Sequence, residues 1–536
     1  MIAQAGCTIP FRLRIGVTGH RTLSDPDELV ARVQQALQHA RGLIRVSAAT
    51  TVCFAAISPL AEGADRLVAR AVLEQPGATL EAVLPLPADD YERDFSTEES
   101  RCEFHELLAA AARVVELPGV PTREEAYEQV GQYVVERCDA LIAIWDGDPA
   151  QGPAGTASVV GWARDRGVPV FWIHAKPPYA LTVWAGNGID PEAYRPIDDF
   201  NSAFLPPDKL SAEVARARED LLEQAARAGL DRGVLDAYCA WALPCYERAD
   251  LLALRAQDQF ARVSDATFIC AALAVVASAG PQLAGTIPFL SQLRLHTSLR
   301  FAPLIECLLM GFVLFVLYLG RRQRLHQRWI TLRFLAERLR AAIFLAVLSP
   351  AEQVAQRIDL ERPHQESDDW LARAFDEVWQ RRPRAAALPP VEPLRRFLLD
   401  AWIGNQQEYQ VRKCRRHERA HRLISTVSLT TFAVTLAIAA LATIGADQAI
   451  ATLVLYLSIV LPALAGALGG IGALREHPRN AHRSRQMART LARLKERMAR
   501  APDLPTLHLL VRETEDLMLQ EYSEWFVTMR FRDVHL

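Results

Sequence analysis

None of the nine cysteines stands in a CxxC pair, so the sequence offers neither a zinc site nor a redox dithiol. The set is odd in number and dispersed from Cys7 to Cys414, and it reads as reduced thiols facing the cytosol. The first ten residues lack the charged-then-apolar layout of a secretory signal, which leaves membrane targeting to internal segments. Excess basic charge is missing as well. The formal net charge is −3 over 536 residues, which excludes a generally basic nucleic-acid coat. No Gly-Lys-Ser/Thr follows a glycine loop and no GxGxxG run occurs, so a P-loop and a dinucleotide fingerprint are both ruled out. What is abundant is apolar surface: 50% of residues are hydrophobic and the mean hydropathy is +0.04. That length calls for more than one domain, and the averages mix two regions of opposite character.

Four segments are long and apolar enough to cross a bilayer: 266–290, 301–320 with a single acid at Glu306, 423–446 and 449–474. A hydrocarbon core of about 30 Å needs roughly twenty residues of helix, and none of the four has the polar face of a water-facing helix. They pair into two hairpins. The loop 291–300 holds only Arg294 and Arg300, and the loop near Asp447 holds no basic residue. The opposite flanks are basic, with Arg321, Arg322, Arg324 and Arg328, then Arg412, Lys413, Arg415, Arg416, Arg419 and Arg422, then Arg475, Arg479, Arg483 and Arg485. The positive-inside rule places those flanks, both termini and the long middle segment in the cytosol, and contact with anionic lipid follows. Glu306 either lines a bundle or reaches the headgroups. Gly466, Gly469, Gly470 and Gly472 allow close helix approach and point to self-association. The absence of broken membrane helices argues against a transporter.

One unit recurs. Thr331-Leu332, Leu335 and Glu337-Arg338-Leu339 match Thr490-Leu491, Leu494 and Glu496-Arg497-Met498. Ala240-Trp241 with Tyr246 matches Ala401-Trp402 with Tyr409, and Trp379 before Arg381 matches Trp525 before Arg530. The order predicts a duplicated module: cytosolic helix, membrane hairpin, amphipathic helices. The resulting division is a domain over 1–180, a linker over 181–235 with a charged helix near 212–228, and membrane units over 236–390 and 391–536.

The first 180 residues alternate strand, turn and helix. Strands are predicted at 13–17, 51–57, 80–84, 111–117, 140–145 and 168–174, and a helix follows Asp25 and Asp27 over 28–42. This is the pattern of an α/β, doubly wound parallel sheet of Rossmann-like type, which binds ligands at the carboxyl ends of its strands. Phosphate suits such a place, because glycines admit the backbone and helix N-termini supply N–H groups. The loop from Asp146-Gly147 through Gly152 and Gly155 to Thr156 opens a helix, with Thr156 as its cap or as a phosphate ligand.

Three motifs together resemble the SLOG superfamily, the fold of the "lonely guy" phosphoribohydrolases and of DNA-processing proteins of transformation. They are Gly16-Val17-Thr18-Gly19-His20-Arg21, Glu62-Gly63-Ala64-Asp65 and Gly152-Pro153-Ala154-Gly155-Thr156. Lonely-guy enzymes carry a catalytic Glu at the end of a Pro-Gly-Gly-x-Gly-Thr-x-x-Glu motif. Here Val159 holds that place, so the resemblance implies ligand sensing without turnover. The membrane half is similar to the SLATT module, a helical effector of bacterial conflict systems, present twice.

The expected ligand site comprises Gly19, His20, Arg21, Glu62, Gly63, Asp65, Tyr91, Asp146, Gly147, Gly152, Gly155 and Thr156, with no metal and no catalytic residue. Arg21 pairs with phosphate, and His20 either assists or packs. Glu62 and Asp65 accept ribose hydroxyls, or else Glu62 or Ser58 caps the next helix. Asp146 orients its loop. Tyr91, followed by Asp94, stacks on a base or is a surface tyrosine. The resemblance implies an effector that senses a cyclic-nucleotide or ADP-ribose type of molecule and permeabilises the bacterial inner membrane as a homo-oligomer in anti-phage defence. The alternative is a membrane-anchored nucleotide N-glycosidase.

Overall fold

A computed structural model describes residues 8–149, 155–286, 302–322, 324–348, 369–383, 389–442 and 448–530. The chain divides into two compact units. The first joins Met1–Pro207 to Ser349–Ala387, and the second joins Asp208–Leu348 to Leu388–Leu536.

The first unit is the expected α/β sheet. Its strands are β1 (Phe11–Gly19), β2 (Val52–Ser58), β3 (Thr79–Leu84), β4 (Arg113–Glu116), β5 (Ala140–Trp145), β6 (Val170–His174) and β7 (Leu181–Trp184). They lie in the order β4-β3-β2-β1-β5-β6-β7. Six strands are parallel, and β7 pairs antiparallel with β6. All six predicted strands are present. β7 adds a seventh, in the stretch that the sequence reads as the start of a linker, and its short run Leu-Thr-Val-Trp carries little signal. The helices are α1 (Pro26–Gly42), α2 (Ala64–Leu73), α3 (Ala88–Tyr91), α4 (Glu98–Ala110), α5 (Arg123–Arg137), α6 (Thr156–Asp165) and α7 (Pro191–Ser202).

Local chemistry explains the boundaries. Asp25 caps α1 by accepting from the Glu28 amide, with Pro26 in the first turn. Thr122 and Glu125 form a capping box that starts α5. Alternate residues Phe11, Leu13, Ile15 and Val17 of β1 are buried, as a sheet covered by helices requires. Strand order reverses between β1 and β5, because β2–β4 lie to one side and β6–β7 to the other. The crevice beyond the carboxyl ends of these two strands is the topological switch point.

The second unit is all helical: α8 (Pro207–Ala228), α9 (Arg232–Thr286), α10 (Ala302–Arg322) and α11 (Leu325–Leu348). The first unit then receives α12 (Asp369–Gln380), and the chain returns with α13 (Val391–Phe397), a π-helical turn over Leu398–Gly404, α14 (Asn405–Ala442), α15 (Gln448–Leu474), α16 (His477–Ala499) and α17 (Leu504–Arg530). Four stretches have the length and hydropathy of membrane spans, and between 0% and 17% of each apolar window is buried. Water does not tolerate that much exposed hydrocarbon on four helices, and the chain is a membrane protein. The loops 291–300 and 443–447 lie outside the described residues.

The two helical halves share an element order. In each, a long helix is followed by an apolar helix, a break at a left-handed residue and a further helix. The breaks fall at Arg324 (φ 45°) and Glu476 (φ 44°), a conformation uncommon outside glycine. The matched positions Leu332, Leu335 and Leu339 of α11 and Leu491, Leu494 and Met498 of α16 are all buried. Glu306 lies on the α10 stripe that also holds Ala302, Val313 and Val316, the side that packs on protein. Gly470 and Gly472 meet Phe268 and Ile424 of this same chain, whereas Gly466 and Gly469 have nothing within 4 Å.

Candidate functional site

The end of β1 is fixed by two backbone contacts. The His20 amide donates to the Ile144 carbonyl of β5 at 3.0 Å, and the Ala64 amide at the start of α2 donates to the His20 carbonyl at 3.0 Å. A Cβ on Gly19 would stand 2.5 Å from the Ala64 Cβ and from the Ile144 oxygen. Gly63, at φ 78°, would place a Cβ 2.3 Å from the Arg21 oxygen. Both glycines are therefore demanded by the closure of β1, β5 and α2 on one another. The closure holds His20 and Arg21 over the switch point.

Across the crevice, β5 ends at Asp146. His20 Nε2 lies 3.1 Å from Asp146 Oδ1 and 3.2 Å from the Asp146 amide nitrogen. With a proton on Nε2 the ring donates to the carboxylate; in the other tautomer it accepts from the amide. Lys176, after β6, places Nζ 3.2 Å from Asp146 Oδ2, and the Asp148 amide donates to Oδ1 at 3.2 Å. Desolvation opposes ionisation of Asp146. The Asp148 amide, Lys176 and His20 outweigh it and hold the carboxyl down at about 2. Gly147, at φ 90°, turns the chain beneath the Trp172 ring, and Trp172 donates Nε1–H to the Trp145 carbonyl at 2.8 Å.

Beside β1 lies a second group. Arg21 is exposed, with its guanidinium 5.9 Å from the Tyr127 ring centroid, and among the described residues no carboxylate pairs with it. Asp65, in the first turn of α2, is buried. Desolvation raises its carboxyl to about 7, against the Ala61 amide and the positive fields of Arg21 and Arg66. Tyr91 is buried as well, and its ring is enclosed by Phe95, Phe104 and Tyr127. It is not a surface tyrosine, and its faces are already covered. The Tyr127 hydroxyl donates to Asp94, which Arg123 also approaches at 3.3 Å. Burial first, then the bond to Asp94, pushes the Tyr127 hydroxyl up to about 12.

Other predicted residues lie elsewhere. Glu62 accepts from the Ser100 hydroxyl at 2.5 Å and the Ser96 amide at 3.4 Å, which ties it to the start of α4. Ser58 accepts from the Leu60 amide and donates to the Asp65 carbonyl, so it braces the loop. Gly155 is the N-cap of α6, and Thr156 is the first helical residue without a side-chain capping bond. The expectation that Thr156 caps the helix is thereby corrected. Gly152 lies outside the described residues. Val159 is buried in the core beside Val130 and Val134. The end of β1 is thus flanked by two groups, His20 with Asp146 and Lys176 on the β5 side and Arg21 with Asp65, Tyr127 and Arg123 beside α2 and α5, and of these Tyr127, Arg123 and Lys176 are residues that sequence reasoning missed. Lys176 was legible as a cation at the end of a strand. Tyr127 and Arg123 were hidden in a helix whose first turn only the fold brings to β1.

Among the described residues, no three of His, Cys, Asp or Glu converge to hold a metal ion, and the eight described cysteines are free thiols. A shallow depression of about 680 Å³ beside Arg70, Glu98, Glu99 and Glu103 lies on the flank of α2 and α4. Its acidic lining does not suit an anion. Comparison with protein-family models and with curated proteins finds no match to the chain.

Proposed function

We propose that the protein is a membrane effector governed by an anionic, nucleotide-derived ligand that binds at the β1/β5 crevice. The observation that carries this reading is one exposed arginine, Arg21, held by two sterically required glycines over the switch point of a chain with four membrane-type helices. A fixed guanidinium pairs with phosphate. The ionised Asp146 offers an acceptor for ribose hydroxyls, and Asp65, in the first turn of α2, stands in the field of Arg21. The SLOG and SLATT resemblances agree with a sensor joined to a membrane-perturbing module in anti-phage defence. The basic flanks support a sensor and termini on the cytosolic side of the inner membrane.

Full-length protein in dye-loaded liposomes, challenged with ADP-ribose and with cyclic mononucleotides, tests the reading. One of these probes raises leakage, and Arg21→Ala abolishes the response at unchanged expression. Leakage with the same ligand dependence in Arg21→Ala would show the site to be misplaced. The non-catalytic reading rests on Val159, a core residue where the hydrolases carry their Glu. Release of free base from NAD or a nucleoside monophosphate would replace the sensor with an N-glycosidase.

A further inference from the structure

The segment between the two membrane hairpins sends one helix into the α/β unit. Helix α12 is amphipathic and buries Trp370, Leu371, Ala374, Phe375, Val378 and Trp379. Two ion pairs fasten it. Arg373 forks onto Asp139, with Nη1 2.8 Å from Oδ2 and Nη2 2.7 Å from Oδ1, and these side chains are 9% and 8% exposed. Glu377 takes the Arg12 fork, with Nη2 2.9 Å from Oε2 and a second contact from Nε to Oε1. Arg12 and Asp139 stand at the amino ends of β1 and β5. The same two strands deliver His20 and Arg21, and Asp146, at their carboxyl ends, about 26 Å away for the nine residues of β1 at strand rise. Both ends of this strand pair are bridged. The far end is closed by His20 and Asp146. The near end is closed by mutual bonds, with the Asp139 amide donating to the Arg14 carbonyl at 2.8 Å and the Arg14 amide to Asp139 Oδ2 at 2.8 Å.

We propose that α12 is the coupling element of the protein: its docking on the amino ends of β1 and β5 is biased by what occupies their carboxyl ends, and its release frees the chain that leads into α11 and α13. The inference rests on the ligand reading given above. A ligand that spans His20, Arg21 and Asp146 sets the offset of β1 against β5. The two forks read that offset, because a bidentate arginine–carboxylate pair fixes both distance and angle. Buried charges do not loosen gradually. Once a fork is lost its partner is left in the protein interior, so docked and released states are discrete. Coupling then needs only different ligand affinity in those two states. Arg12, Asp139, Arg373 and Glu377 act as positioning residues and touch no ligand.

The test uses the full chain in liposomes and reads hydrogen exchange in α12, α11 and α13 beside dye leakage. Asp139→Arg is expected to speed exchange in 369–380 by about tenfold or more, to alter exchange in α11 and α13, and to shift basal leakage with no ligand present. Arg373→Asp does the same, and the double swap Asp139→Arg with Arg373→Asp brings α12 exchange and leakage back toward wild type only in part, because it still lacks the carboxylate that accepts from the Arg14 amide. Because a reversed charge can also unfold the domain, the milder Glu377→Gln is measured in parallel, and protection of β5 amides reports that the sheet persists. The proposal is overturned if α12 is released on an intact sheet while α11, α13 and leakage stay at wild-type values. It is equally overturned if no variant, Glu377→Gln included, releases α12 without loss of β5 protection. If the swap series moves α11 and α13 but ADP-ribose and cyclic mononucleotides leave α12 exchange unchanged in the wild type, the coupling stands and the ligand reading fails.

Discussion

In the α/β unit Ile15, Leu141 and Ile142 are fully buried, whereas on the membrane helices Leu314 is 67% exposed and Leu436 is 73% exposed. The side chains withdrawn in the helical unit include polar ones: Glu337, Gln406, Gln410, Ser484 and Thr514. Glu337 is held there by Arg333 and Arg340. The two regions obey one rule in two solvents. Against water, hydrocarbon is hidden and charge is shown. Against lipid, outward hydrocarbon costs nothing, and the buried polar groups just named all lie outside the four apolar runs, where the helices pack on protein. The α/β unit keeps its buried charges at its two ends, with Asp65 and Arg66 beyond the carboxyl ends of the strands and Asp139, Arg373 and Glu377 at the amino ends. Charges so placed cost stability unless they are paired or protonated, and both remedies are used.

The contrast can be broken by substitution. Leu141→Ala empties a filled site in β5 and is expected to destabilise the α/β unit by about 2–5 kcal/mol, seen as a lower denaturation midpoint of the detergent-solubilised protein. Leu314→Ala, facing lipid, leaves that midpoint unchanged. Equal losses from the two would mean that α10 lies against protein. Leu314→Arg is next in size, at about 2.5–3.5 kcal/mol for a cation at mid-span, and membrane fractionation should find the variant displaced or degraded.

The third substitution concerns Asp65. Its folded carboxyl titrates near 7, above the ordinary value of about 3.9. The folded protein therefore holds a proton that the unfolded chain releases between those values. Stability is lost as pH rises through that window. Asp65→Asn keeps an acceptor for the Ala61 amide and removes the charge. It is expected to raise the melting midpoint at pH 8 and to leave it nearly unchanged at pH 4. A wild-type and variant difference that does not vary with pH would mean that Asp65 stays ionised. The smallest effect sharpens the comparison within one membrane helix. Gly466→Ala meets nothing within 4 Å and should stabilise α15 by about 0.5–1 kcal/mol, whereas Gly470→Ala collides with the Phe268 ring at 2.3 Å and should weaken the packing of α15 on α9 in a thermal melt.

Much of the α/β sheet was legible because alternation of strand and helix is written in local periodicity, and because Asp25 announces a helix start by a short-range bond. The site was legible only in part. Gly19 and Gly63 were read as ligand contacts, and the structure gives their need as the close approach of Ala64, Ile144 and Arg21. Glu62 has the right residue type near the right strand, yet Ser96 and Ser100 claim it. Which carboxylate faces a crevice and which braces a neighbouring helix depends on partners far along the chain.

By itself the sequence determined four membrane-length apolar runs and six of the seven strands, because each follows from composition and period within one stretch of chain. Tertiary structure alone decided where the amphipathic helix at 369–380 belongs. Its apolar face requires cover, but nothing local says which surface supplies it. Arg12 and Asp139, hundreds of residues away in sequence, are the complement that selects the β-sheet end. The fold likewise made Asp65 a buried acid and Asp146 an ionised one. Both are aspartates that follow a strand, and they are distinguished only by the water, cations and amides that the finished structure places around them.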